Sequence, residues 1–215
     1  DLAYAGGGLS LLWSDMLGNH ELGTMVQVTN RLRETGGVVE YLNRTHRWNW
    51  GLVGEMTPYV TGTFAQGVAT VNGTPTIVQQ NYLVTQTNSG ASGVLQYPLS
   101  RAQRVEFAGG VRHIGFDQRV ETQYFSAVTG DLLNQTTEKL ASPAGLNLAE
   151  TSAALVYDTS IFGATGPIVG QRYRLEFTQE SGSILYSGVL ADVRRYFMPV
   201  RPFTIALRAL HYGRY

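Results

Sequence analysis

Between Gln171 and Leu210, apolar and polar side chains alternate with a period of two in three successive segments. In the first, Tyr173, Leu175 and Phe177 interleave with Arg172, Arg174, Glu176 and Thr178. In the second, Leu185, Val189, Ala191, Val193 and Phe197 share one parity and Asp192, Arg194 and Tyr196 the other. In the third, Phe203, Ile205, Leu207 and Ala209 oppose Thr204 and Arg208. That period sends successive side chains to opposite faces of a strand, so each segment is predicted to be a strand with one apolar and one polar face. Glu180-Ser181-Gly182-Ser183 and Met198-Pro199-Val200-Arg201-Pro202 carry turn residues and join the three into an antiparallel meander.

The same reading extends to the rest of the chain. A strand to Ser14, a turn over Asp15 to His20 and a strand to about Arg33 form a first hairpin. A turn at Glu34-Thr35-Gly36-Gly37 leads to VVEYLNRTH, and a turn near Arg47 leads to a long amphipathic strand. There Trp48, Trp50, Leu52, Met56, Val60 and Phe64 alternate with Asn49, Glu55, Thr57, Thr61 and Thr63. From Met56 to Ser100 no side chain is charged, and Asn72-Gly73 is a strong hairpin signal, so residues 66–80 are expected to form a ribbon or long loop. A turn at Tyr97 to Arg101 precedes a strand with Val105, Phe107 and Val111 on one parity. Residues 117–145 are a second long excursion, a strand follows from about Asn147 to Asp158, and IFGATGPIVG leads back to the meander. The chain is thus expected to be a single all-β domain over 1–215, with about ten strands and no helix.

The second strand of the meander could run about 14 residues, against 5 to 6 in most soluble sheets. Two architectures use such strands. A transmembrane barrel needs about 9 to 11 residues per crossing and puts its apolar parity to lipid and its polar parity to a lumen. A soluble β-sandwich or barrel that binds a partner or ligand would instead bury the apolar parity in a core.

Charged residues make up 15% of the chain, below the roughly 25% of an average soluble domain. The 25 glycines, 12 tyrosines and 11% aromatic content suit a barrel wall with interfacial girdles. Formal net charge is zero and no basic run stands out, which argues against a nucleic-acid partner. Cysteine is absent, excluding thiol chemistry and a disulfide framework. No apolar run approaches the 18 or so residues of a membrane helix, so any spanning is by strands.

Nor does a catalytic, cofactor or metal site emerge. His20, His46, His113 and His211 are far apart with no carboxylate at ligand spacing. The glycines of GATGPIVG lack a following Gly-Lys-Ser/Thr, and no GxSxG elbow occurs. Glu106, Glu176, Asp192, Arg174 and Arg208 are read as a mutually neutralising polar lining, because charges in a narrow lumen must be paired or hydrated. The chain is expected not to be an enzyme.

The segments GGGLSLLWSDMLGNHEL, YPLSRAQRVEF, GPIVGQRYRLEF and YSGVLADVRRYFMPVRPFTIALRAL, in that order, resemble the BamA/TamA-type surface-antigen family of bacterial outer-membrane β-barrels. The resemblance implies an antiparallel up-and-down transmembrane barrel in the outer membrane. It also implies a role as pore or scaffold in protein translocation or outer-membrane assembly. Lipid and unfolded or nascent outer-membrane polypeptides would be the partners. The family's Val/Ile-Arg-Gly-Phe/Tyr loop motif is absent, and about ten strands fall short of its 16, so the chain is expected to be an internal portion of the barrel. Its two sheet edges would meet missing barrel strands or another chain. By the same analogy the turns at Asp15 to His20, Tyr97 to Arg101 and Met198 to Pro202 would face the periplasm, and 66–80 and 117–145 the outside.

Joined to strand alternation, this reading assigns facing. Leu175, Phe177, Val189, Val193, Ile205 and Leu207 should meet lipid, and Arg174, Glu176, Asp192, Arg194 and Arg208 should face the lumen. Arg195, on the apolar parity, should lie near the polar boundary, where its side chain can snorkel.

Overall fold

The computed structural model describes residues 6–30, 34–71 and 73–215. Its strands in chain order are β1 (Gly6–Ser14), β2 (His20–Thr29), β3 (Gly36–Asn43), β4 (Asn49–Val71), β5 (Thr74–Pro98) and β6 (Gln103–Ser126), then β7 (Leu132–Leu140), β8 (Leu146–Asp158), β9 (Ile161–Phe162), β10 (Pro167–Gly182), β11 (Tyr186–Val200) and β12 (Phe203–Arg214). All join one antiparallel sheet in the order β1-β2-β3-β4-β5-β6-β8-β10-β11-β12, with β7 paired to β6 and β9 to β10.

The path has ten positions for twelve strands because one rung is broken. Residues 103–114 of β6 pair with β8, and residues 118–125 pair with β7. Strands β7, β8 and β9 therefore descend as a single interrupted line beside β6 and β10. The expectation of about ten strands in an up-and-down meander agrees with this path. Strict antiparallel succession also sorts the connections. The turns at 15–19, 44–48, 99–102, 163–166 and 201–202 lie at one end of the sheet, and 127–131 and 183–185, with Glu34, Thr35 and Gly73, at the other.

Residues 66–80 form a ribbon, one of the two forms expected for them, and residues 117–145 are mostly strand: β4, β5 and β6 run 23, 25 and 24 residues. At about 3.3 Å per residue each is roughly 80 Å long, far more than the 8 residues of β3 supply. A two-residue turn closes the tallest hairpin, with Gly73 at φ 78° where a side chain would be strained. Gly36 and Gly37 belong to β3 rather than to a turn, and β11 continues to Val200 through an irregularity after Phe197. The second strand ends at Thr29; the expected continuation to Arg33 lies outside the described residues.

No second layer covers the sheet among the described residues. Among the described residues the buried hydrophobic side chains are Val120, Leu148, Ala154 and Val156. The sheet is also open: β1 and β12 are its two edges and do not pair with each other.

Candidate functional site

The register decides which residues share a face, because directly opposed residues in paired strands point the same way. Glu106 stands opposite Ala154, and Ala154 opposite Glu176. Arg174 stands opposite Asp192, and Arg194 opposite Arg208. The five charged residues assigned to one face from the sequence are therefore on one face. Leu175, Phe177, Val193, Ile205 and Leu207 are exposed on the opposite face, and Val189 is half-buried there.

The segregation holds across the sheet. Strands β6 and β8 part at Ile114 opposite Leu146. On the turn side of that level, following the register from β1 to β12, each described Asp, Glu, Arg or Lys within a strand falls on the polar face, Arg195 alone excepted. The other face carries Leu9, Leu11, Trp13, Val26, Val39, Leu52, Phe107 and Val111, all exposed.

Charges on the polar face are cross-linked. Arg174 bridges β10 to β6, its Nη1 2.6 Å from Glu106 Oε2 and its Nε bonded to Glu176. The bridge passes over β8, where the small side chain of Ala154 is buried beneath it at 7% exposure. Arg104 Nε adds a second donor to Glu106 at 2.7 Å. On β11 and β12, Asp192 accepts from Arg194 Nη2 at 2.6 Å and from Arg208 Nη2 at 2.9 Å. Within each network arginines and carboxylates pair through charge-assisted hydrogen bonds, stronger than bare ion contacts.

Another cluster was not singled out from the sequence. Glu150 stands directly opposite Glu180, and Arg112 reaches Glu180 Oε1 at 3.6 Å. Together with Glu55, Gly90, Ser92 and Gly110 they line a depression of about 240 Å³. Its floor is glycine by necessity, since a Cβ on Gly90 would sit 2.6 Å from the Val111 carbonyl oxygen. The run Ala108-Gly109-Gly110 was the available signal: glycine inside a strand marks close approach of another backbone.

Aromatic residues gather toward the turn end. Tyr41 and Trp50 have ring centroids 5.4 Å apart, Trp48 and Tyr97 4.5 Å, and Tyr157 and Tyr173 5.1 Å in a stack. Arg47 lies over the Tyr97 ring at 4.6 Å. Arg195 is opposite Gln171 and Leu207, two residues nearer the turns than the row holding Tyr173 and Val193.

On the far side of Ile114 the charge parity reverses without a register shift between β5 and β6. Asp117, Arg119 and Glu121 occupy the parity that is apolar below. Arg119 Nη2 bonds Glu34 of the β2–β3 connection at 2.7 Å, and its Nε bonds Glu121 at 3.2 Å. The histidines are held by local partners: His20 by Tyr41, His46 by Thr45, His113 by Asn147 and His211 by Tyr215. Comparison with protein-family models, curated proteins and solved structures returned no match.

Proposed function

We propose that this chain is wall material of a bacterial outer-membrane β-barrel of the BamA/TamA-type surface-antigen kind, serving as pore or scaffold for polypeptide translocation or outer-membrane assembly. The observation that carries the reading is the sorting of charge. A soluble sheet buries its apolar face, whereas here that face is the open one and the buried side chains Leu148, Ala154 and Val156 lie on the charged face. Lipid is the solvent that makes such a surface stable: each Arg or Lys on the lipid face at mid-membrane would cost roughly 2 to 4 kcal/mol, and the face is clear of them except at Arg195. Shorter strands such as β2 and β12, of 10 and 12 residues, match one crossing. The aromatic pairs toward the turns act as the interfacial girdle on that side.

The polar wall then lines a lumen of balanced charge. Arginines neutralised by carboxylates on neighbouring strands hold the wall hydrated without selecting strongly for one sign of ion, which suits passage of polypeptide. Lipid and unfolded outer-membrane polypeptide are its partners, with no nucleic acid and no enzymatic step.

Labelling on a central strand tests the reading. Phe107 and Ala108 are both exposed in the bare sheet but lie on opposite faces. In the vesicle-inserted protein, a water-soluble maleimide should label Ala108→Cys rapidly and spare Phe107→Cys. Equal labelling, or folding to a monodisperse species without detergent or lipid, would overturn the membrane assignment.

A further inference from the structure

The tall hairpin leaves one long strand edge without a partner. Strand β3 pairs with β4 only as far as Gly37 opposite Met56. There the connection passes close over β4 at a glycine, since a Cβ on Gly36 would sit 2.5 Å from the Met56 carbonyl oxygen and 2.6 Å from Pro58 Cδ, and Glu34 next to it reaches Arg119 on β6. Above that point residues 57–71 pair with β5 on one side, and among the described residues no strand pairs on the other.

Which backbone groups are free follows from the hairpin turn. Asn72-Gly73 is a two-residue connection, so Val71 and Thr74 form the hydrogen-bonded closing pair. Odd residues of β4 therefore bond to β5 and even ones point outward. Pro58, which has no N–H to offer, sits on an outward position at the base of this edge. The outward donors are Val60, Gly62, Phe64, Gln66, Val68 and Thr70. Of these, the side chains of Val60, Phe64 and Val68 share one face and are 39%, 70% and 78% exposed.

Natural sheets blunt such edges with charge, shortness or cover. The opposite edge of this extension does so: β7 is only 9 residues long and carries Glu138 and Lys139. Among the described residues the β4 edge from Thr61 to Val71 is long, uncharged and exposed throughout. We infer that it is a docking edge for an extended polypeptide strand, added by backbone hydrogen bonds on the line that β3 vacates and bearing apolar residues at alternate positions against Val60, Phe64 and Val68. A second copy does not fit. Copies sharing one membrane, as in the reading above, bring this edge together in parallel about an axis along the strands. That sets outward-pointing residues against each other, whereas a parallel ladder needs them to alternate.

The test uses the full chain in detergent micelles and a fluorescein-labelled decapeptide of alternating threonine and valine flanked by lysines. Anisotropy should rise saturably with protein. The same peptide N-methylated on its valine amides should bind roughly tenfold more weakly or worse, because its edge can no longer donate. Gln66→Pro, which removes an outward N–H and leaves the β5 ladder intact, should weaken the unmodified peptide similarly while keeping heat-modifiable gel mobility. Absence of saturable binding, equal binding of the N-methylated peptide, or a doubled mass by light scattering that disappears in Gln66→Pro would each overturn the inference. The maleimide result stands independently of all three.

Discussion

Arg174 is the residue on which the polar wall most depends. It holds two carboxylates whose side chains are 12% and 19% exposed, on strands either side of β8. Removing the cation leaves both acids facing each other over Ala154 with less water than they need. A fully buried broken pair costs about 3 to 5 kcal/mol; with the guanidinium a third exposed, Arg174→Met should cost about 2 kcal/mol. It is read as a lowered urea midpoint for folding in micelles. Adding Glu106→Gln and Glu176→Gln should restore most of the loss, and additive losses would show that the bridge is not the unit of stability. Alternation in the sequence was enough to put Arg174, Glu176, Asp192, Arg194 and Arg208 on one face. It could not supply Glu106 as a partner, 68 residues away, because that contact depends on register and on the small residue between them. Glu150 and Glu180 escaped for the same reason: each is unremarkable along its own strand, and only the ladder sets them opposite.

At the scale of elements, the meander of the last three long strands was legible because apolar and charged residues alternate there without a gap. The upper parts of β4, β5 and β6 were not. Both parities are filled by Thr, Gln, Asn, Val and Gly, so the period-two contrast that marks a half-buried strand vanishes, and what remains is β-branched residues paired to an equally polar neighbour. In β6 the charges also change parity, from Arg104 and Glu106 to Arg119 and Glu121, which from sequence alone resembles a break. Continuous register across that change leaves the strand itself unbroken, and on the membrane reading proposed above it is where the strand leaves an apolar solvent for water. The extension should then be dispensable to the wall. Thr61 opposes Val84 in a hydrogen-bonded pair and Gln118 opposes Leu140, so replacing 62–83 and 119–139 each by Asn-Gly preserves every register below. The trimmed protein is expected to keep heat-modifiable mobility and the Phe107/Ala108 labelling contrast while losing peptide binding. Loss of folding would mean that the tall strands are structural.

At the scale of the whole molecule, the sheet ends in two bare edges. All of β1 and most of β12 are exposed, and among the described residues their outer backbone groups have no ladder partner. Hydrocarbon makes that state untenable, since each unsatisfied N–H or C=O there costs several kcal/mol. In a membrane the edges must therefore be paired, either with each other, with strands beyond this sheet, or with another chain. Pairing with each other would need ten rungs to curl shut, which the fold does not do. Cysteines at Leu11→Cys on β1 and Ala209→Cys on β12, both on the apolar face, separate these outcomes when a short membrane-permeant bis-maleimide is added to the vesicle-inserted chain. When the chain is alone, the expected product is a cross-link between copies, seen as a doubled mass on a denaturing gel. A cross-link within one chain would mean that the wall seals as a small barrel, and the open-sheet account of its edges would then be wrong.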